Sequence, residues 1–178
     1  TKELFNSCKI LGIDTEKVQV VDDLKLQDGF EEVWEPAAVA SAVSTSVDKW
    51  NINSIITFDN QGVSGHPNHI ATWLGVKNMV DDKAFQDKHE DFRLWTLAST
   101  SFLRKYSGIC DIFLSAWDPG AMFYSPKLWT NHAAMAAPYS QFVWYRRLFV
   151  FFSRYGYINN LVEHNSGKED EEKRKKTQ

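Results

Sequence analysis

The stretch SIITFDNQGVSGHPNHI, at residues 54–70, decides the fold, because three kinds of pattern follow one another in it. Residues 54–58 form an apolar run of strand length. A polar loop rich in small residues comes next. Pro67 suits the first turn of a helix, and the apolar residues after it recur at helical spacing. The stretch therefore predicts a strand, a loop and a helix that begins near Asn68.

The rest of the chain repeats this alternation of helix and strand. Helices are predicted at residues 2–11, 36–50 and 128–137, strands at 18–21, 92–99 and 121–124, and polar connections at 22–32 and 81–91. Such an alternation indicates an α/β fold with a largely parallel sheet. We expect one domain over residues 1–162 and a charged, disordered tail at 163–178.

The composition excludes several classes of protein. With 178 residues, of which 43% are hydrophobic, the chain is large enough to bury a core. The net charge is -3 and no region of the body is dominated by basic residues, so nucleic acid is not an expected partner. Cys8 and Cys110 are too few and too far apart for a disulfide framework. No apolar run reaches the roughly 20 residues that span a bilayer.

His66 and His69 lie in the polar loop that follows the predicted strand. Ligands of open α/β sheets bind at the carboxyl ends of strands. The residues alone leave three interpretations open: a metal site, a pair of catalytic imidazoles, or a surface loop whose histidines bond to local carbonyl groups. A pair of histidines is a weak signal, because a catalytic zinc site needs about three protein ligands. Pro67 biases His66 toward an extended conformation, whereas His69 lies in the following helical turn. The two rings therefore need not point the same way, which favours different roles over a shared pair of ligands.

Five further residues of the loop are candidates for supporting roles. Gly62, Ser64 and Gly65 let the backbone approach a ligand closely. Asp59 and Asn68 are candidates to orient an imidazole by accepting its second N–H.

A second segment, SQFVWYRRLFVFFSRYGYINNL at residues 140–161, interleaves large aromatic side chains with Arg146, Arg147 and Arg154. This pattern suits a segment that lies in a membrane interface with its cations toward the headgroups. It equally suits a core helix whose arginines extend outward at one edge. The candidates for facing a membrane are Trp144, Arg146, Arg147 and Phe149.

Four blocks of the chain resemble, in order, the N-acetylglucosaminyl-phosphatidylinositol de-N-acetylases, the eukaryotic members of the LmbE-like (PIG-L) superfamily. The blocks are KELFNSCKILGI, TFDNQGVSGHPNHI, TLASTSFLRKY and SQFVWYRRLFVFFSRYGYIN. The resemblance runs from Lys2 to about Leu161 and leaves only the tail outside it. It implies a Rossmann-like three-layer α/β sandwich and a metal-dependent amide hydrolysis. The implied reaction removes acetate from N-acetylglucosaminyl-phosphatidylinositol on the cytoplasmic face of the endoplasmic reticulum membrane, the second step of GPI-anchor synthesis.

The resemblance also implies roles for the two histidines. His69 matches a histidine that binds the family's divalent metal, expected to be zinc, and His66 matches a histidine that stabilises the tetrahedral intermediate. A zinc ion polarises the amide carbonyl and lowers the pKa of its water toward ~7. A cationic imidazole opposite the metal would offset the charge of the oxyanion.

The chain departs from the family's pattern at three places. The first motif, His-Pro-Asp-Asp-Glu, supplies two further zinc ligands and an aspartate base, and it would precede Thr1. We therefore expect a fragment truncated at the N-terminus, which lacks two of three metal ligands and is inactive by itself. Pro138 stands where relatives often have the histidine of His-x-Ser-Gln, and Asn68 stands where many bacterial relatives have aspartate.

The expected partners are the glycolipid substrate and a membrane surface, and no oligomeric state is predicted. Two other functions remain open. The chain is alternatively a catalytically inactive, membrane-associated scaffold subunit, or a deacetylase of another N-acetylglucosamine conjugate.

Overall fold

The computed structural model describes residues 2–29 and 32–164, which form short and medium helices and four strands. The helices are α1 (Lys2–Ile10), α2 (Pro36–Trp50), α3 (Gly62–Gly65), α4 (Pro67–Asp81), α5 (Lys83–Lys88), α6 (Phe102–Lys105), α7 (Ile112–Ser115), α8 (Leu128–Ala136) and α9 (Trp144–Phe152). The strands are β1 (Ser54–Phe58), β2 (Arg93–Leu97), β3 (Ala121–Tyr124) and β4 (Ile158–His164).

The four strands lie in one sheet in the order β1-β2-β4-β3. β1 and β2 are parallel, because α4 and α5 supply the helical crossover that parallel neighbours need. β4 is antiparallel to β2, with Leu97 opposite Leu161 and Leu94 opposite His164. The α/β class is thus confirmed, whereas the expectation of a largely parallel sheet is wrong for this pair. The three-layer arrangement stays a prediction.

The backbone groups into two compact units. The first unit comprises Thr1–Val21 and Thr100–Asn160, and the second comprises Asp22–Ser99 and Leu161–Gln178. The core of the second unit is formed by Val47, Trp73, Val76, Met79, Val80, Phe85 and Leu94. The single domain expected over residues 1–162 stays a prediction.

A close approach of α2 and α4 brings this core together. A Cβ atom on Gly75 would lie 2.6 Å from Cβ of Val39 and 2.7 Å from the carbonyl oxygen of Pro36. The absence of a side chain at Gly75 is therefore what lets the two helices touch. α2 begins at Pro36, as the sequence predicts, and Asn51 follows its end in the left-handed conformation, with φ of 50°.

Buried polar side chains hold the first unit together. Asp111 is 1% exposed, and its carboxylate accepts hydrogen bonds from Nε and Nη2 of Arg104 at 2.9 and 2.8 Å and from Oγ of Ser115 at 2.6 Å. Nε of Arg154 lies 2.9 Å from the same carboxylate as an ion pair, although its N–H is poorly aimed for a hydrogen bond. Nη2 of Arg154 donates to Ser115 and to Oδ1 of Asn160 at 2.7 and 2.8 Å.

This cluster, Arg104, Asp111, Ser115, Arg154 and Asn160, is called the polar network below. Arg154 is fully buried in it, so this arginine is not available to a membrane surface. Burial alone would raise the pKa of Asp111, but hydrogen bonds from Arg104 and Ser115 and the nearby charge of Arg154 hold it below its usual range.

Three other expectations differ from the structure. Residues 18–21 form no strand, and Val20 and Val21 are 47% and 44% exposed, so this β-branched run has no sheet to join. The acidic connection at 81–91 contains α5, whose first turn is capped by the carboxylate of Asp82. β4 extends to His164, whereas the tail was expected from 163, and residues 165–178 lie outside the described part of the chain.

In the described ranges, no helix is both long enough and apolar enough to cross a lipid bilayer.

Candidate active site

The loop between β1 and α4 is fastened by the carboxylate of Asp59. Oδ1 of Asp59 accepts the backbone N–H groups of Gln61 and Gly62, each at 3.0 Å, and the hydroxyl of Ser99 at 2.6 Å. Oδ2 accepts the backbone N–H of Ser99 at 2.6 Å. Asp59 therefore joins the loop to the residues that follow the neighbouring strand β2. Within the described chain it hydrogen-bonds to neither histidine, so its contribution is to the loop rather than to an imidazole.

Ser99 extends this fastening to a strained residue. Its Oγ accepts the backbone N–H of Val63 at 2.8 Å. Val63 has φ of 65° and ψ of -40°, a conformation that costs on the order of 1–3 kcal/mol for a β-branched residue. Such strain persists only where the surrounding contacts enforce it, and it concentrates at functional sites. Ser99 was not predicted as a site residue, and its one signal in the sequence is its place at the carboxyl end of a strand beside β1.

His69 is oriented by the backbone of Gly62. Nδ1 of His69 lies 3.1 Å from the carbonyl oxygen of Gly62. Because a carbonyl only accepts, Nδ1 carries the proton and Nε2 keeps the lone pair that binds a metal. The ring also stacks on Phe58, with centroids 3.9 Å apart and planes 9° apart.

Gly62 is the residue type that this contact requires. Its φ is +56°, and a Cβ atom there would lie 3.0 Å from Cβ of His69 and 3.0 Å from Cγ1 of Ile70. A larger residue would therefore push on the helix turn that carries His69. Gly65, also predicted as a loop residue, has φ of +74° but open space where a Cβ would be.

His66 begins α4 and has the complementary proton arrangement. Its Nδ1 accepts the backbone N–H of Asn68 at 3.3 Å, which caps the helix. In a neutral ring the proton then lies on Nε2, which makes that nitrogen a donor. The rings of His66 and His69 stack with centroids 4.7 Å apart and planes 26° apart. The structure thus brings the two histidines together, one presenting an acceptor nitrogen and the other a donor.

Asn68 and Ser64 complete the set of predicted residues. Asn68 is only 4% exposed, and its Nδ2 donates to Oδ1 of Asp28 at 3.2 Å. Its own Oδ1 is buried and has no hydrogen-bond partner among the described residues. Ser64 is exposed on the loop. Asp28 comes from a connection in which the sequence analysis had placed no functional residue.

The described residues fit a divalent metal in part. His69 offers one ligand nitrogen whose tautomer and ring direction are held by other groups. Within residues 2–29 and 32–164, however, no group of three or more His, Cys, Asp or Glu side chains is arranged to hold a metal ion. These residues therefore offer one candidate ligand and no complete site.

The candidates for facing a membrane differ in exposure along α9. Trp144 is 72% exposed and Arg147 is also exposed, whereas Arg146 and Phe149 are half-buried. Nη1 of Arg146 donates to Oε1 of Gln141 at 2.8 Å.

Comparisons with known proteins place these features in a family. The sequence profile described as PIG-L, GlcNAc-PI de-N-acetylase, matches residues 1–80. A probable N-acetylglucosaminyl-phosphatidylinositol de-N-acetylase of Dictyostelium discoideum is 30% identical over 191 aligned residues, which cover 91% of this chain and 74% of the relative. The N-acetylglucosaminyl-phosphatidylinositol de-N-acetylase of Bos taurus is 33% identical over 163 residues, covering 90% of this chain and 63% of the relative.

A probable enzyme of the same name from Schizosaccharomyces pombe is 33% identical over 171 residues, covering 91% of this chain and 66% of the relative. The chain thus spans about two-thirds to three-quarters of the length of these three relatives.

Proposed function

The chain belongs to the PIG-L family of GlcNAc-PI de-N-acetylases, and from this premise we propose that it serves the hydrolysis of N-acetylglucosaminyl-phosphatidylinositol to release acetate. This reaction is the second step of GPI-anchor biosynthesis, and we place it at the cytoplasmic face of the endoplasmic reticulum membrane. The observation that supports the proposal best is the pair of stacked imidazoles, in which His69 presents an acceptor nitrogen and His66 a donor.

His69 is proposed as a ligand of a divalent metal, expected to be zinc. The contact with the carbonyl oxygen of Gly62 keeps the proton on Nδ1, so Nε2 meets a metal without a further proton loss. When bound, such a metal supplies a polarised carbonyl and a water of lowered pKa. The other ligands and the general base are expected from a His-Pro-Asp-Asp-Glu motif, which the 178 residues do not contain.

His66 is proposed to stabilise the oxygen that becomes negative when the amide carbonyl is attacked. In the neutral ring, Nε2 of His66 is a hydrogen-bond donor, and removal of one such donor from an active site commonly lowers turnover by about 100-fold or more. A cationic imidazole was expected in this role from the family resemblance. The hydrogen bond that Nδ1 accepts from Asn68 suits the neutral ring, which still offers the Nε2–H donor.

Metal content separates these two roles. In the natural protein, with any residues that precede Thr1, His69→Ala is expected to remove bound zinc and activity together. His66→Ala is expected to keep zinc and to lower turnover. Metal analysis of the purified variants tests this, and a His69→Ala protein that retains stoichiometric zinc would contradict the assignment. The 178-residue chain alone is expected to bind metal weakly, and measurable deacetylation of the glycolipid by it would refute the need for the missing motif.

Trp144 and Arg147 are proposed to contact the membrane that carries the substrate. Both are exposed on α9, and an exposed aromatic ring beside a cation suits the headgroup region of an anionic bilayer.

A further inference from the structure

An open apolar groove lies along α9 in the first unit. Its volume is about 850 Å³, within the usual range of roughly 300–1,000 Å³ for ligand sites. One wall is a stripe of α9, namely Tyr145, Leu148, Phe149 and Phe152, which recur at the spacing of one helix face. The opposite side is formed by Phe102, Tyr106 and Met135.

The large side chains of this groove are exposed where a protein core would bury them. Phe102 is 74% exposed, Phe152 57%, Tyr145 55% and Leu148 48%. An apolar surface of this kind, contiguous and concave, marks a binding site more often than a scattered exposed residue does. Val150, on the opposite face of α9, is 4% exposed and attaches the helix to the unit. The groove face of α9 is thus available to a ligand.

The charge in the lining of the groove is positive and lies at one end. Among the described residues that line it, Arg146 is the only charged one, and it belongs to the first turn of α9. Phe152, at the far end, lies about 9 Å farther along the helix axis, given the 1.5 Å rise per residue. The groove therefore has a cationic end and an apolar end.

A second cation lies behind the aromatic lining. Lys105 is 9% exposed, and its Nζ lies 5.6 and 5.9 Å from the ring centroids of Tyr106 and Phe149, which both line the groove. It forms no ion pair with any described residue. Burial lowers the pKa of Lys105, as expected for an ammonium group without a carboxylate partner. Lys105 therefore places a second basic group next to the aromatic lining of the groove.

We propose that the groove binds one acyl chain of an anionic phospholipid, with the phosphate of the lipid beside Arg146. An amphiphile with a single long apolar part and one anionic group matches the polarity of the groove from end to end. The inference rests on the part of the proposed function that places this chain at a membrane. It adds that the protein withdraws one acyl chain from the bilayer into the groove. Contact of Trp144 and Arg147 with lipid headgroups would not by itself require this step.

A monomeric lipid tests the site without any membrane and without hydrolysis. The probe is a lysophosphatidylinositol with a diazirine near the end of its acyl chain, mixed with the 178-residue chain below the concentration at which the lipid forms micelles. We expect saturable photolabelling, with adducts that mass spectrometry maps to residues 102–106 and 145–152. Labelling spread over other exposed apolar residues such as Trp117, or crosslinks between two copies of the chain, would overturn the proposal.

Two matched pairs of variants sharpen the test. Phe102 and Phe113 are 74% and 78% exposed in the same unit, but only Phe102 lines the groove. We expect Phe102→Asp to raise the half-saturating lipid concentration about tenfold, because an apolar contact is lost, and Phe113→Asp to leave it within about twofold. Equal effects would indicate general hydrophobic adsorption and would refute a groove. Circular dichroism spectra confirm that both variants are folded.

The second pair addresses charge. Arg146 lines the groove, whereas Arg147 lies over the ring of Phe142, 5.1 Å from its centroid, and does not line it. We expect Arg146→Gln to weaken binding of the anionic probe about fivefold, and Arg147→Gln to have little effect. A monoacylglycerol of the same chain length, which has no phosphate, should bind the native protein and the Arg146→Gln variant alike. If the natural protein did not hydrolyse the glycolipid but the groove was still photolabelled, the proposed activity would be wrong and the lipid site in the groove would stand.

Discussion

The carbonyl oxygen of Gly62 lies 3.1 Å from Nδ1 of His69, and the glycine that supplies it has φ of +56° and would bring a Cβ atom within 3.0 Å of His69 and Ile70. One backbone group thus fixes the proton of the imidazole proposed to bind metal. The N–H of Val63, which belongs to the same peptide group as that carbonyl, donates to Oγ of Ser99, and Asp59 accepts both the hydroxyl of Ser99 and the N–H of Gly62. The candidate ligand therefore depends on residues that would never touch a metal.

The first prediction concerns Gly62→Ala. The new Cβ would lie 3.0 Å from atoms of both His69 and Ile70, in a backbone conformation that disfavours alanine by roughly 1–2 kcal/mol. We expect the free energy of unfolding of this variant to fall by more than the roughly 1–2 kcal/mol that the backbone conformation alone costs. We also expect the natural protein with this substitution to lose its bound zinc. Urea unfolding and metal analysis measure the two effects.

Gly65→Ala is its control, because Gly65 has a similar φ of +74° but open space around a Cβ. This variant should lose about 1 kcal/mol or slightly more and keep its zinc. If both variants lost the same amount of zinc, the contact between Gly62 and His69 would not be what orients the ligand.

The second prediction concerns Ser99, which joins Asp59 to Val63. Ser99→Ala removes the acceptor of the Val63 N–H, which leaves a partly buried donor unpaired beside a strained backbone. An unpaired buried donor costs roughly 1–3 kcal/mol. We expect a loss of stability of that size, and faster hydrogen exchange and proteolysis at residues 59–65.

Ser64→Ala changes the same chemical group on the same loop, but Ser64 is exposed. It should alter stability by less than about 0.5 kcal/mol. Unchanged exchange rates at residues 59–65 in Ser99→Ala would show that the strained loop is held by something other than Ser99.

Local patterns predicted the part of the fold that carries the histidines. β1, α4 and the loop between them were all expected, because an apolar run, small residues and Pro67 lie next to one another in the sequence. α1, α2, α8, β2 and β3 were predicted for similar reasons and are confirmed. Each of these signals is contained within a few residues.

Contacts between distant residues were not predicted. Arg154 was predicted to extend outward together with Arg146 and Arg147, since no neighbouring residue in the sequence shows that Asp111 and Asn160 surround it. β4 was missed because Asn159 and Asn160 are poor strand formers, and its place depends on pairing with β2. The orientation of His69 was also beyond prediction, because its partner is a backbone carbonyl rather than a side chain.

The third prediction concerns the membrane-facing part of α9. Trp144 is 72% exposed, and its ring is expected to lie among lipid headgroups. We expect Trp144→Ala to lower the affinity of the chain for vesicles of phosphatidylcholine and phosphatidylinositol by about tenfold. Co-sedimentation with the vesicles measures this.

Trp117→Ala serves as the control for vesicle binding, because Trp117 is even more exposed, at 90%, and does not belong to α9. It should leave the bound fraction nearly unchanged. A larger loss of vesicle binding with Trp117→Ala than with Trp144→Ala would move the membrane contact away from α9.

The last prediction concerns acid stability through Asp111. Burial opposes its ionisation, yet the hydrogen bonds from Arg104 and Ser115 and the charge of Arg154 lower its pKa below the ordinary value of 3.8. A carboxylate with a lowered folded pKa stabilises the folded state above its unfolded pKa, and this contribution disappears as the pH falls through the folded pKa. Asp111→Asn removes the titrating group and leaves the buried Arg154 without its carboxylate partner, whereas Arg104 keeps Asp118, so it should cost on the order of 3–5 kcal/mol at neutral pH.

The pH dependence of this cost distinguishes a charge effect from loss of packing. The difference in unfolding free energy between the native chain and Asp111→Asn should be constant above about pH 5 and shrink as the pH falls below about 4 toward the lowered pKa of Asp111. Asp118→Asn is the matched control, because the side chain of Asp118 is 23% exposed and pairs with Arg104 alone. It should cost about 1 kcal/mol. Urea unfolding at several pH values measures all three proteins, and a difference for Asp111→Asn that stays constant down to pH 2 would show that its charge does not stabilise the polar network.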